Sequence, residues 1–278
     1  MDERITSSIL KKYRKEIWGP FISALKEYEL IQSGDRIAVC ISGGKDSALL
    51  AVLMRQILSH SDVPFELEYI AMDPGYSPEN RARLEKNCAL LDIPVKIFET
   101  NIFSVSAKQE KNPCYLCARM RRGYLYTYAA SLGCNKIALG HHFSDVIETT
   151  LMGMLWGAQI QGMLPKLHSM NYDGMELIRP MYKIREDSII AWARYCGLEF
   201  LSCACKLTES AAVDENASKR RETKALIKYL RENGNPDVEK NIFNSIHNAN
   251  IDTLVGYKTD GEEHSFLEKY RNGAEKGK

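Results

Sequence analysis

The hexapeptide Ser42-Gly43-Gly44-Lys45-Asp46-Ser47 gathers the residue types that hold a phosphate. Two glycines let the backbone approach an anion closely, Ser42 and Ser47 bring hydroxyl donors, and Lys45 brings a point charge. The apolar run at 36–41 reads as a buried strand, and residues 48–54 read as a helix. A Gly-rich turn between them aims backbone N–H groups and the positive end of the helix dipole at one small volume. The spacing lacks both the Gly-x-x-x-x-Gly-Lys-Ser/Thr of a Walker loop and the Gly-x-Gly-x-x-Gly of a dinucleotide fold. A nucleotide or pyrophosphate cradle of another kind is expected.

Cysteines supply the second chemistry. Cys114-Tyr-Leu-Cys117 opens a predicted helix, and Cys203-Ala-Cys205 lies far downstream. Such pairs suit Zn²⁺, an iron–sulfur cluster or a redox dithiol. Four thiolates from both pairs would make a structural zinc site. Three would leave one iron of a cluster open to bind sulfide. Cys40, Cys88, Cys134 and Cys196 sit within or beside apolar patterns and are expected as small core residues. A third constellation runs Gly140-His141-His142-Phe-Ser-Asp145-Val-Ile-Glu148-Thr149. There Asp145 suits Mg²⁺ or substrate orientation, and the histidines suit phosphate contact, proton transfer or a structural hydrogen bond.

These groups need a scaffold that brings loop ends together. Strands are predicted at 36–41, 65–72, 94–98, 136–139 and 175–178. Helices are predicted at 48–54, 79–91, 117–132, 144–155 and 186–196. Strands alternating with helices imply an α/β fold, a doubly wound and mostly parallel sheet covered on both faces. Ligands of such sheets sit beyond the carboxyl ends of the strands, where the Ser42–Ser47 loop and the Gly140–Thr149 stretch fall. Helical additions are expected at both ends. Residues 1–33 read as an N-terminal helical segment broken near Gly19-Pro20, and 34–210 as the α/β domain carrying the cysteines. Residues 211–260 read as a C-terminal helical segment, and 261–278 as a flexible tail.

The 278 residues are 45% hydrophobic and 26% charged, a globular composition, and no apolar run approaches the ~18 residues that span a bilayer. No signal-peptide layout opens the chain, so a cytoplasmic protein is expected, with its eight cysteines unpaired by disulfides. A net charge of +1 does not announce nucleic-acid binding. Local basic clusters would have to supply it: Lys11 to Lys15, Arg119 to Arg122 and Lys219 to Arg221.

Ser42 to Ser47 resembles the PP-loop of the ATP pyrophosphatases, which cut ATP between its α- and β-phosphates. Further motifs, in order, resemble the TtcA-like tRNA 2-thiocytidine synthetase family within that superfamily. They are Gly34-Asp-Arg-Ile37, Cys114-x-x-Cys117-x-Arg119-x-Arg121-Arg122-Gly123, Lys136-Ile-Ala-Leu-Gly-His-His142, Gly162-Met-x-Pro-Lys166, Ile178-Arg-Pro180 and Arg185-Glu186. The resemblance implies ATP-dependent thiolation of C2 of a cytidine in tRNA, at position 32. It implies ATP and Mg²⁺ as cofactors, and a [4Fe–4S] cluster on Cys114, Cys117 and Cys203, with Cys205 the alternative third ligand. It places Lys45, Asp46 and Asp145 in catalysis, Asp145 also holding Mg²⁺. Ser42 to Ser47, Asp73, Gly140 and His141 would contact the nucleotide. The partners are tRNA and a sulfur donor, a cysteine desulfurase or sulfide, and a homodimer is expected. Ser144 stands where the family usually has the first Asp of a pair, and the turn 73–76 is shorter than the family's loop. Two other readings remain open: a PP-loop ATPase with structural zinc acting on another base or small substrate, and a non-catalytic nucleotide- or tRNA-binding relative.

Overall fold

The computed structural model describes residues 3–106, 113–200 and 215–275. The chain opens with α1 (Glu3–Leu10), a π-helical turn (Arg14–Trp18) and α2 (Gly19–Glu27). The Gly19-Pro20 pair opens α2, because a proline in the first turn forgoes only an N–H that has no helical partner. Then come β1 (Arg36–Ile41), α3 (Lys45–Leu58), β2 (Glu66–Asp73), α4 (Pro78–Leu90), β3 (Val95–Glu99) and α5 (Ile102–Ser106). They are followed by α6 (Pro113–Ser131), β4 (Lys136–Ala138), α7 (Phe143–Gly157), β5 (Lys166–His168), β6 (Glu176–Ile178), α8 (Glu186–Tyr195) and α9 (Glu215–Asn233).

Six strands form the expected doubly wound sheet in the order β3-β2-β1-β4-β6-β5, parallel except for the antiparallel edge strand β5. The register pairs Val39 of β1 with Tyr69 on one side and Ala138 on the other. The period of two in a strand divides β1 between two cores. Ile37, Val39 and Ile41 pack with Ile9, Ile17 and Phe21 of the N-terminal helices, the α3 leucines and Trp192. Ala38 and Cys40 face Tyr126 and Ala129 of α6 and Ile137 of β4. The N-terminal helices are thus part of the main core. Strand order reverses between β1 and β4, so the loops after these two strands flank the crevice where such sheets bind ligands.

The chain divides into two compact units, the first running to Leu226 and the second starting at Ile227, inside α9. The expected boundary at 210 lies outside the described residues. In the second unit α10 (Val238–Ser245) precedes a hairpin of β7 (Gly256–Thr259) and β8 (Glu262–Ser265), then α11 (Phe266–Glu275). The expectation of a flexible tail from 261 is corrected here. Asp260 and Gly261, with φ of 50° and 84°, make a two-residue turn of the kind that closes hairpins. Among the described residues no helix is long and apolar enough to cross a membrane.

Candidate active site

The loop after β1 is braced from within. Ser47 is buried, and its Oγ accepts from Ser42 N at 3.1 Å and donates to Gly44 O at 3.0 Å. Ser42 Oγ lies 3.1 Å from the same oxygen. Gly43 adopts φ of +82°, in the left-handed region that favours glycine. Gly44 caps α3 with extended backbone and no side-chain bond, so the helix begins at Lys45, three residues earlier than the apolar pattern implies. An uncapped helix start of this kind presents its first N–H groups to an anion.

The loop after β4 closes on it from the side. A Cβ on Gly140 would lie 3.2 Å from both Asp46 C and Ser47 N, so only glycine allows the two loops to touch this closely. Between them opens a cavity of about 390 Å³. Its polar lining includes Ser42, Asp46, Ser47, Arg121, His141 and Asp145, and its apolar lining includes Ile41, Met72, Leu125 and Leu139. Tyr76 completes the rim, with its hydroxyl 3.5 Å from Ser42 O. Burial, reinforced by Arg179, lowers His141 to about 4, so it is neutral at pH 7. It can exchange hydrogen bonds there but brings no charge to a phosphate. Cys40 also lines the cavity, and burial pushes its thiol up to about 12, which keeps it protonated.

Ion pairs around the loop form a chain that the His142 ring closes. Lys45 Nζ lies 3.1 Å from Asp46 Oδ1 and 3.1 Å from Glu186 Oε1. Glu186 Oε2 takes Lys224 at 2.8 Å, and Lys224 reaches Glu148 Oε1 at 3.6 Å. Arg220 joins Glu148 Oε2 at 3.2 Å to Asp145 Oδ1 at 3.0 Å. His142 Nε2 returns the ring, 3.5 Å from Asp145 and 3.6 Å from Asp46. Burial raises Glu186, but hydrogen bonds from Lys224 and Lys45 outweigh it and hold the carboxyl at about 2. Burial pulls Lys45 down, and Asp46 and Glu186 more than restore it. Glu148 is different: burial pushes it up to about 7 against the pull of Lys224 and Arg220.

Two of the candidate carboxylates are engaged by the protein's own groups. Asp73 Oδ1 accepts from Gly75 N at 2.9 Å and Tyr76 N at 2.7 Å, while Oδ2 pairs with Arg81 at 2.8 Å. It shapes the turn that presents Met72 and Tyr76, and the cavity lining does not include it. Asp145 does line the cavity, yet Arg220 engages one oxygen and the His142 N–H donates to the other at 3.0 Å. Among the described residues no group of three His, Cys, Asp or Glu is arranged to hold a metal ion. Ser144, in place of the family's usual Asp, accepts from Glu186 N at 3.2 Å and ties the start of α7 to the start of α8.

Cys114 and Cys117 both lie on α6, one turn apart, and Arg121 follows Cys117 by four residues on the same face. Cys117 is partly buried. Arg121 lines the cavity, and its buried Nε makes no hydrogen bond. Cys117, Arg121 and Leu125 recur every four residues along α6, and the last two line the cavity. Cys203 and Cys205 fall outside the described residues. Cys88 and Cys134 are buried as expected, with thiols pushed up to about 11 by burial, and Cys196 is partly buried. The sequence left Tyr76, Glu186 and Lys224 out of the site. It left out Arg121 and Arg220 as well, although their basic clusters were a signal.

A family model described as a PP-loop domain matches residues 15–206. A tRNA-cytidine(32) 2-sulfurtransferase of Alkalilimnicola ehrlichii is 35% identical over 267 residues, 93% of this chain and 79% of that protein. The protein of the same name from Nitrosomonas eutropha is 36% identical over 208 residues, 72% of this chain but only 64% of its own length. Among solved structures, the U34-tRNA thiolase NcsA from Methanococcus maripaludis with its [4Fe-4S] cluster aligns with a TM-score of 0.64. It is 21% identical, and the alignment covers 83% of this chain and 77% of that one, a likeness of fold. With the cradle, the reversal point of the sheet and these matches together, the chain belongs to the PP-loop family, among the ATP-using transferases named tRNA-cytidine(32) 2-sulfurtransferase.

Proposed function

We propose that this chain is an ATP-dependent tRNA thiotransferase that replaces the C2 oxygen of a cytidine, at position 32, with sulfur. One observation carries the reading: a single cavity is walled by the phosphate cradle on one side and on the other by Arg121 and Leu125 of α6, the helix whose first turns carry Cys114 and Cys117. The names of its relatives support tRNA as the substrate.

The N–H groups at the start of α3, with Lys45, bind the phosphates of ATP. The loop after β4 and Arg121 orient the base beside the α-phosphate. The C2 oxygen attacks that phosphorus, the bond to the β-phosphate oxygen breaks, and pyrophosphate leaves. A sulfur nucleophile then adds at C2, and AMP departs with the former carbonyl oxygen. Adenylation is what turns a poor leaving oxygen into a good one. Neutral His141 beside the cavity can take a hydrogen bond without adding to the charge there.

The donor chemistry of α6 suits an iron–sulfur cluster, with Cys114 and Cys117 as two thiolate ligands and Cys203 or Cys205 as the third. When bound, such a cluster supplies an iron that can carry sulfide. The sulfur would come from sulfide or a cysteine desulfurase. Mg²⁺ would accompany the nucleotide phosphates, with Asp145 in the cavity lining as the carboxylate that would hold it.

Mass spectrometry of tRNA nucleosides from a strain lacking the gene tests the assignment. Loss of 2-thiocytidine, restored by the wild-type gene, is expected. Persistence of 2-thiocytidine in the deletion strain would sink the substrate assignment.

A further inference from the structure

Ring chemistry beside the cradle poses an electrostatic problem. Asp46, Asp145, Glu148 and Glu186 share Lys45, Arg220, Lys224 and the His142 ring as their partners. Asp46 and Asp145 line the cavity itself. A polyphosphate bound there would feel these carboxylates within a Debye length, ~10 Å at moderate salt. Without the two α9 cations, Glu148 would lose both of its ion-pair partners and Glu186 would keep only Lys45. That wall would repel the ligand the cradle is built to hold.

Glu186 raises a second problem. Its Oε1 holds Lys45, so a phosphate must compete with a carboxylate for the same ammonium. The Glu186 side chain is only 22% exposed. Pulling Lys45 away would leave a largely buried carboxylate unpaired, a costly event unless another cation remains. Lys224 remains, at 2.8 Å from Oε2.

We propose that Arg220 and Lys224 of α9 are positioning residues of the phosphate site: they neutralise the wall of Asp145, Glu148 and Glu186 and allow Lys45 to leave Glu186 for a nucleotide polyphosphate. The inference rests on the reading of Ser42 to Ser47 as a nucleotide cradle. It assigns α9 a task that its sequence, a run of Lys, Arg and Glu, does not announce.

Equilibrium binding of the non-cleavable analogue α,β-methylene-ATP to the full chain tests it, using variants checked by thermal unfolding. Lys224→Ala traps Lys45 on Glu186 and weakens binding ~5–20-fold, a loss of the size of one strengthened ion pair. Glu186→Gln releases Lys45 and tightens binding ~3-fold or more, because its competitor is gone. Combining Lys224→Ala with Glu186→Gln then restores binding close to wild type. Arg220→Ala weakens binding ~5-fold and Arg220→Lys largely rescues it, since charge is what Asp145 and Glu148 require. In turnover, these changes are expected in KM for ATP more than in kcat. Lys224→Gln stands in if Lys224→Ala does not fold.

A double variant as weak as Lys224→Ala alone would overturn the proposal, leaving α9 a purely structural role. So would wild-type affinity in all four single variants while Lys45→Ala binds nothing, which spares the cradle. If Lys45→Ala binds the analogue as tightly as wild type, or wild type does not bind it, the cradle reading itself falls and the inference with it.

Discussion

Lys45→Ala is expected to cut ATP-dependent pyrophosphate release by about 10²–10³-fold, the cost of losing one preorganised group from a charged transition state. The ammonium stands at the first helical position of α3, where the developing charge on the leaving pyrophosphate would sit. No other cation lies on the loop itself. The fold should survive, because Glu186 keeps Lys224 at 2.8 Å and Asp46 keeps a neighbour in His142. Unfolding midpoints near wild type, together with lost turnover, would separate chemistry from collapse. Pyrophosphate release at the wild-type rate would refute the role given to the cradle.

The second large effect is expected at Cys117. In Cys117→Ser protein purified without oxygen, iron and acid-labile sulfide should fall to background, with the visible absorbance shoulder lost. tRNA thiolation should fall below detection. A serine hydroxyl is far less acidic than a thiol and cannot replace a thiolate on iron. The cost to stability should stay within about 1 kcal/mol, because Cys117 is only partly buried. Binding of α,β-methylene-ATP should persist, since the cradle is formed by β1, α3 and the loop after β4. Stoichiometric zinc with no iron, unchanged in the variant, would favour the structural-zinc alternative.

Strong local patterns made much of this legible from residues alone. β1 is five buried residues in six, and its sequence Arg-Ile-Ala-Val-Cys-Ile has no other reading than a central strand. The Gly-Gly turn announced itself by composition, and Gly140 by its place after a strand. β5 stayed hidden because Lys-Leu-His is three residues long and joins the sheet antiparallel, held by β6 and not by its own pattern. The β7–β8 hairpin carried a legible signal in Asp260-Gly261, but its four-residue strands are mostly exposed and lack an apolar face. Asp73 entered the candidate site through the family resemblance, which sets it near the nucleotide. Its carboxylate accepts from Gly75 N, Tyr76 N and Arg81. Arg220 looked like a solvated charge, and its partners Asp145 and Glu148 lie more than 70 residues away. Pairings of that kind are tertiary, and no spacing in the sequence encodes them.

The central claim is that one cavity both activates an oxygen and receives sulfur. The most direct test incubates the anaerobically purified chain with ATP, sulfide and tRNA lacking the modification, then maps the product by mass spectrometry. The account predicts a cytidine at position 32 heavier by the exchange of oxygen for sulfur, with AMP and pyrophosphate formed in equal amount to it. ATP consumed with no sulfur entering the tRNA, or sulfur entering without ATP, would contradict it.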